Sequence, residues 1–180
     1  MPGIDESLPF RPVNIAVLTV SDTRTFDDDR SGDTLEERLK AAGHVLADRK
    51  ICKDDQDSIV AQLKAWIADP NVEVVISTGG TGVTGRDVTP EAFAEVYEKE
   101  IAGFGELFRY LSYQKIATST VQSRATGGVA SGTYLFALPG SPGACKDGWD
   151  GILKDQLDIR HKPCNFAELL PRLREHEAAE

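Results

Sequence analysis

Apolar residues along this chain switch repeatedly between strand-like and helix-like spacing. Asn14–Val20 reads N-I-A-V-L-T-V, nearly continuous and rich in β-branched residues, which predicts a strand buried on both faces. After a polar stretch over 21–33, Leu35 and Leu39 stand four apart among charged residues, predicting a helix that stops at Gly43. Val45, Ala47, Arg49 and Ile51 alternate like a half-exposed edge strand. Ile59, Leu63, Trp66 and Ile67 keep helical spacing until Asp69-Pro70-Asn71 ends it. Residues 72–77 predict a second buried strand, followed by a glycine-rich run over 79–85 and a helix opened by Pro90. Gly103 and Gly105 are expected to break that helix before a further helical piece over 106–113. Thr133–Leu138 predicts a third buried strand, with Ser141 and Pro142 as N-cap and first turn of the next helix. The chain stays amphipathic from Asn165 to Pro171 and then becomes charged, so its end is expected to fray.

Strands alternating with helices predict an α/β protein built on βαβ units, with a mostly parallel central sheet covered on both faces. The expected organisation is a flexible N-terminal tail over 1–12, one domain over 13–170 and a charged C-terminal tail over 171–180. In such sheets ligands bind beyond the carboxyl ends of the strands. Those ends lead here into Ser21-Asp22-Thr23, the 79–87 loop and the turn from Pro139 to Pro142, the most unusual stretches of the sequence.

Composition narrows the function. The 180 residues carry 20 Lys and Arg against 29 Asp and Glu, a formal charge of −9, which argues against broad nucleic-acid or membrane-surface binding. No apolar run approaches the ~18–20 residues of a membrane span, and the first dozen residues lack the pattern of a secretory signal. Cys52, Cys145 and Cys164 are odd in number and far apart, which fits a reducing cytoplasm rather than a disulfide framework or zinc site. His161 and Cys164 offer two potential metal ligands, but a packed thiol beside a surface histidine is the preferred reading.

The 77–92 segment, S-T-G-G-T-G-V-T-G-R-D-V-T-P-E-A, is the strongest candidate for chemistry. Glycines behind a buried strand let backbone N–H groups approach a ligand, and such a nest binds phosphate without positive net charge. The helix from Pro90 would add its positive end. Gly80, Gly82 and Gly85 satisfy G-x-G-x-x-G, yet the helix starts too late and no suitably placed acid follows, so a dinucleotide site does not fit. No G-K-[ST] follows either, which excludes a P-loop. Asp54 and Asp87 could hold Mg²⁺ against phosphate oxygens. Asp54 could equally be a helix cap beside Asp55, and Asp87 a turn residue. Arg109 and Ser123-Arg124 offer guanidinium groups for phosphate, or plain solvated helix charges. None of the three histidines lies in the key loops, which argues against hydrolase triads.

T-V-S-D-T over 19–23, S-G-D over 31–33, G-G-T-G over 79–82, R-D-V-T-P-E-A over 86–92, G-F-G-E over 103–106, S-R-A over 123–125 and L-P-G-S-P over 138–142 occur in that order. The set resembles the molybdenum cofactor biosynthesis proteins of the MoaB/MogA type, related to the G domain of gephyrin. The P-C-N-F ending over 163–166 is similar to the MoaB branch. The resemblance implies a three-layer αβα fold, assembly as a homotrimer or as a hexamer built from trimers, and a cytoplasmic protein that deals with molybdopterin and other proteins of that pathway. In active members it implies adenylylation of molybdopterin by ATP with Mg²⁺, giving adenylyl-molybdopterin and pyrophosphate. The alternative is a non-catalytic molybdopterin-binding or carrier protein. By position, Asp54 and Asp87 correspond to the catalytic acids around Mg²⁺ and the triphosphate. Gly79, Gly80, Thr81 and Gly82 would cradle nucleotide phosphate, while Ser21, Asp22, Thr23, Ser31, Gly32, Ser123, Pro139, Gly140 and Ser141 would line the cleft. Active members often carry P-D-E at the first acid, whereas this chain has Lys53-Asp54-Asp55.

Overall fold

In the computed structural model, which describes residues 2–177, the chain runs β1 (Gly3–Ile4), β2 (Asn14–Val20), α1 (Arg30–Ala41), β3 (Val45–Cys52), α2 (Gln56–Ile67), β4 (Val74–Thr78), α3 (Thr89–Val96) and β5 (Lys99–Glu100). It continues through α4 (Ala102–Ile116), a 3₁₀ segment (Ala117–Gln122), β6 (Thr126–Ala130), β7 (Thr133–Leu138), α5 (Pro142–Gly148), a π turn (Trp149–Leu153), α6 (Lys154–Gln156), β8 (His161–Lys162) and α7 (Phe166–Leu169). Six strands form one mixed sheet in the order β3-β2-β4-β7-β6-β5. The first four are mutually parallel, and β6 and β5 add antiparallel at the far edge. Every residue of β4 and β7 is buried, as both-face coverage requires. Leu35, Phe108, Phe136 and Trp149 belong to the core on one face, and Leu18, Ile59, Leu63, Trp66 and Phe93 to the core on the other.

The topology places the site. From β2 the chain goes first to β3 on one side and then to β4 on the other. The loops leaving β2 and β4 therefore diverge at a switch point, the usual crevice of an open α/β sheet.

Local chemistry explains most element ends. Asp29 caps α1, accepting the Gly32 N–H at 2.9 Å, and Gly43 follows the helix at φ +88, the left-handed stop that glycine adopts without penalty. Asp55 caps α2, accepting from the Ser58 N–H at 2.9 Å. Asp54 is thus left out of the capping role that the sequence allowed it.

Two expectations change, and one strand lies outside them. Gly103 and Gly105 do not break a helix; both lie inside α4, and a Cβ on Gly105 would collide with the Ala125 carbonyl. Glycine serves there as a close crossing of helix over strand. The strand β6, T-G-G-V-A, has no strand-like pattern, because Gly127 lies against the Phe104 and Phe136 rings and Gly128 against Tyr97. The N-terminal twelve residues, expected to form a flexible tail, are tied down in part: β1 pairs antiparallel with β8. Phe10 also packs on His44 and beneath the Arg160 guanidinium. In the charged C-terminal segment, Arg172 pairs with Glu175 and Arg174 with Glu177; residues 178–180 lie outside the described residues.

Candidate functional site

Three loops meet at the carboxyl edge of the parallel strands. Gly79 and Gly80 take φ +103 and +66, a region side chains rarely enter. The Gly79 N–H donates to Leu138 C=O at 3.0 Å, and the Thr78 hydroxyl donates to Pro139 C=O at 3.0 Å, joining the glycine loop to the turn after β7. Thr89 closes the loop from its far end: its hydroxyl donates to Gly79 C=O at 2.9 Å and its N–H to Gly80 C=O at 3.0 Å. That N–H is therefore not available to a ligand, so the start of α3 contributes less than the sequence suggested. A Cβ on Gly79 would enter the Val20 carbonyl, and one on Gly80 would press on Thr89 and stand 3.2 Å from Asp54 Oδ1. Among the described residues, the Gly80 and Thr81 N–H groups have no protein acceptor, leaving them for an anion.

The acids differ in surroundings. Asp22 and Asp54 exchange hydrogen bonds, and Arg86 closes on the outer oxygen of Asp22 with Nε at 3.1 Å. Burial, and then the neighbouring Asp22 carboxylate, raise the pKa of Asp54, because both disfavour its charged form. Burial also acts to raise Asp87, but the Thr84 hydroxyl and N–H and the Gly82 N–H outweigh it and hold that carboxyl below its ordinary range. The Thr84 hydroxyl and N–H donate to Asp87 Oδ2 at 2.7 and 2.8 Å.

A cleft of about 1070 Å³ opens beside the loop, just above the roughly 300–1,000 Å³ usual for small-molecule sites. Gly80, Thr81, Gly82, Asp87, Ser123, Pro139, Gly140 and Ser141 line it. Gly79 is buried beneath. Ser21, Asp22, Thr23 and Asp54 lie at the ends of β2 and β3, outside the cleft lining, although Asp54 reaches the Gly80 side of the loop. Ser31 and Gly32 are not brought into the cleft; they are buried at the start of α1, where the Ser31 hydroxyl and the Gly32 N–H both donate to Asp29 Oδ1. The opposite wall comes from α4 and α5, with Phe108, Leu111, Lys115 and Lys146. Sequence reasoning missed these four, because apolar residues on a helix read simply as core and lysines as solvated surface. Arg109 donates to Ala125 C=O at 3.1 Å, a structural contact rather than a phosphate contact.

Among the described residues no three His, Cys, Asp or Glu side chains converge as a metal cluster. His161 stands 3.9 Å from Asp155 while Cys164 is exposed. Two carboxylates do suit Mg²⁺, which takes few protein ligands and completes its shell with water and phosphate oxygens. Asp54 Oδ2 accepts the Asp22 N–H, whereas Oδ1 faces Gly80. Among the described residues no helix is long and apolar enough to cross a membrane.

A model of the probable molybdopterin binding domain matches residues 16–159. The molybdenum cofactor biosynthesis protein B of Escherichia coli strain K12 is 49% identical over 160 residues, covering 89% of this chain and 94% of that one. A crystal structure of molybdenum cofactor biosynthesis protein B superimposes with a TM-score of 0.83 at 39% identity, covering 92% of this chain and 98% of the other. The tungsten cofactor synthesizing protein MoaB from Pyrococcus furiosus superimposes with a TM-score of 0.75 at 33% identity, covering 91% and 98%.

Proposed function

The chain belongs to the molybdenum cofactor biosynthesis protein B family, and we propose that it binds molybdopterin in the cleft beside the glycine loop and adenylylates it with Mg-ATP. The observation that supports this reading is that the Gly80 and Thr81 N–H groups, without protein acceptors among the described residues, lie between Asp87 at Gly82 and Asp54 at Gly80. In the reaction, the terminal phosphate of molybdopterin forms a new P–O bond at the α-phosphorus of ATP. The bond from that phosphorus to the β-phosphate bridging oxygen breaks, and pyrophosphate leaves.

The protein's part is positioning and charge management. The N–H groups of Gly80 and Thr81 receive phosphate oxygens. Asp54 and Asp87 would hold Mg²⁺, which neutralises charge developing on the phosphates. The apolar wall at Phe108 and Leu111 gives the flat pterin a dry surface, while Ser123, Pro139, Gly140 and Ser141 complete the rim. Ser31 and Gly32 act at one remove by seating Asp29, the cap of α1.

The assembly is proposed to be a homotrimer or hexamer. Leu107, Tyr110 and Tyr113 form an exposed stripe at i, i+3 and i+6 on α4, and Val121 beyond it is 79% exposed, the kind of apolar surface that partners cover. A cytoplasmic setting, and contact with other proteins of the pathway, follow from the same reading.

The second reading is a molybdopterin carrier without turnover, favoured by the position of Asp54 outside the cleft lining. Titrating molybdopterin against wild type and Asp87→Ala, with turnover measured in parallel, separates them. Catalysis predicts binding retained and turnover lost in the variant. Adenylylation that survives in Asp87→Ala contradicts the role given to that residue, and its absence from the wild type favours the carrier.

A further inference from the structure

Arg124, in the segment that enters β6, sits on the outside of the glycine loop with its guanidinium engaged by that loop. Its Nε donates to Gly82 C=O at 2.7 Å, and one Nη donates to Asp87 C=O at 2.7 Å. The other Nη pairs with the Glu91 carboxylate in the first turn of α3. Its backbone N–H donates to Thr81 C=O at 3.0 Å. One residue therefore holds the glycine loop at Thr81, Gly82 and Asp87, both ends of the segment that carries the Asp87 carboxylate.

Between those ends the loop is exposed from Val83 to Arg86. Its inner hydrogen bonds are local, running from Thr84 to Asp87 and from the Asp87 N–H to Thr84 C=O at 3.0 Å. Such a segment opens easily unless an outside group fixes it. A planar fork suits this work, because it meets two carbonyls and a carboxylate at once, which an ammonium on a flexible stem does not. Gly82 packs so closely on Asp87 that a Cβ there would stand 2.7 Å from Oδ2. A small shift of the loop therefore moves the carboxylate.

We propose that Arg124 is a positioning residue: it clamps the 82–87 loop through two backbone carbonyls so that Asp87 faces the cleft, and Glu91 orients the clamp. This is distinct from a phosphate ligand, the role that an arginine next to Ser123 would ordinarily suggest. Only the metal-linked part of the consequence rests on the adenylyltransferase reading; the clamp itself does not.

The test compares wild type with Arg124→Gln, Arg124→Lys and Glu91→Gln by hydrogen exchange and by ATP titration with and without Mg²⁺. The clamp predicts that amide exchange over 82–87 accelerates by about tenfold or more in Arg124→Gln while β4 and β7 stay protected. Arg124→Lys should not restore protection, and Glu91→Gln should shift it in the same direction by less. ATP affinity without metal should change by less than about threefold, while the gain in affinity on adding Mg²⁺ falls by about tenfold. Unchanged loop exchange with a metal-free affinity loss of about tenfold would make Arg124 a phosphate ligand and overturn the proposal. If wild type binds no ATP, the adenylyltransferase reading fails while the exchange data still decide the clamp. If Arg124→Gln does not fold, Arg124→Lys and Glu91→Gln carry the same comparison.

Discussion

Asp22 and Asp54 hold each other by reciprocal hydrogen bonds: the Asp22 N–H donates to Asp54 Oδ2 at 3.0 Å, and the Asp54 N–H donates to Asp22 Oδ1 at 3.2 Å. The exchange ties the loop after β2 to the end of β3 and keeps two carboxylates close together beside the glycine loop. Holding like charges together costs stability, and Arg86, which closes on Asp22, offsets that cost only in part.

Asp54→Asn should therefore stabilise the protein at neutral pH. Asparagine keeps an acceptor for the Asp22 N–H and removes the charge. Because burial and Asp22 raise the folded pKa of Asp54, its ionisation penalises the fold as pH rises from the unfolded value through the folded one. The variant should match wild type in strong acid and show a higher denaturation midpoint near pH 7, a gain that solvent screening keeps small. Denaturant melts across pH check this; a variant less stable than wild type at neutral pH would contradict it.

Asp29 behaves in the opposite sense. It is fully buried, accepts from the Thr19 hydroxyl at 2.6 Å and the Gly32 N–H at 2.9 Å, and pairs with Arg49 at 2.9 Å. Burial acts to raise its pKa, but those hydrogen bonds outweigh it and hold it low. Its contribution is present above the unfolded value near 3.9 and lost as pH falls through the depressed folded value. Asp29→Ala leaves Arg49 without its buried partner and α1 without a cap, so chemical denaturation should show a loss of about 3 kcal/mol or more. A loss within experimental scatter would show that Thr19 and Arg49 find other partners.

Gly82→Ala isolates geometry from stability. Gly82 is not among the glycines with positive φ, so the backbone accepts alanine; the obstacle is Asp87 Oδ2, 2.7 Å from the new Cβ. Thermal stability should drop by no more than about 1 kcal/mol while adenylylation falls by about 10²-fold. Equal turnover in the two proteins would mean that the placement of Asp87 is not critical.

The cysteines should differ sharply in reactivity. Burial pushes Cys145 up to about 11, and burial with Asp54 and Asp55 pushes Cys52 up to about 12. Cys164 is exposed. Since the thiolate is the reactive form, brief alkylation of the folded protein near pH 8 should give one adduct, at Cys164, by mass spectrometry. Labelling of Cys145 at a similar rate would show that the turn after β7 opens.

Much of this architecture was legible in the chain, and the exceptions share a cause. The buried strands β2, β4 and β7 announce themselves through continuous apolar runs, and Gly43 and Ser141 sit where capping chemistry needs them, whereas Asp29, in an acidic run that reads as solvated surface, is the buried cap of α1. Where glycine serves close packing rather than a turn, periodicity misleads: Gly105 reads as a helix break and Gly127-Gly128 conceals β6. Candidate loops were legible from composition, but the division of labour within them was not. Only the folded chain separates Asp54 from the cap Asp55, turns Arg109 and Arg124 toward backbone carbonyls, and withdraws Ser31 and Gly32 from the cleft. The charge of −9 is compatible with an anionic ligand because unpaired backbone N–H groups, which add no net charge, can receive it.

Adenylyl transfer is read by incubating the purified protein with molybdopterin, ATP and Mg²⁺ and following adenylyl-molybdopterin and pyrophosphate together. Wild type should give both products in equal amounts, with a loss of about 10²-fold or more in Asp87→Ala that still binds molybdopterin. Wild-type protein that binds molybdopterin but yields neither product, under conditions where a known adenylyltransferase turns over, would contradict it.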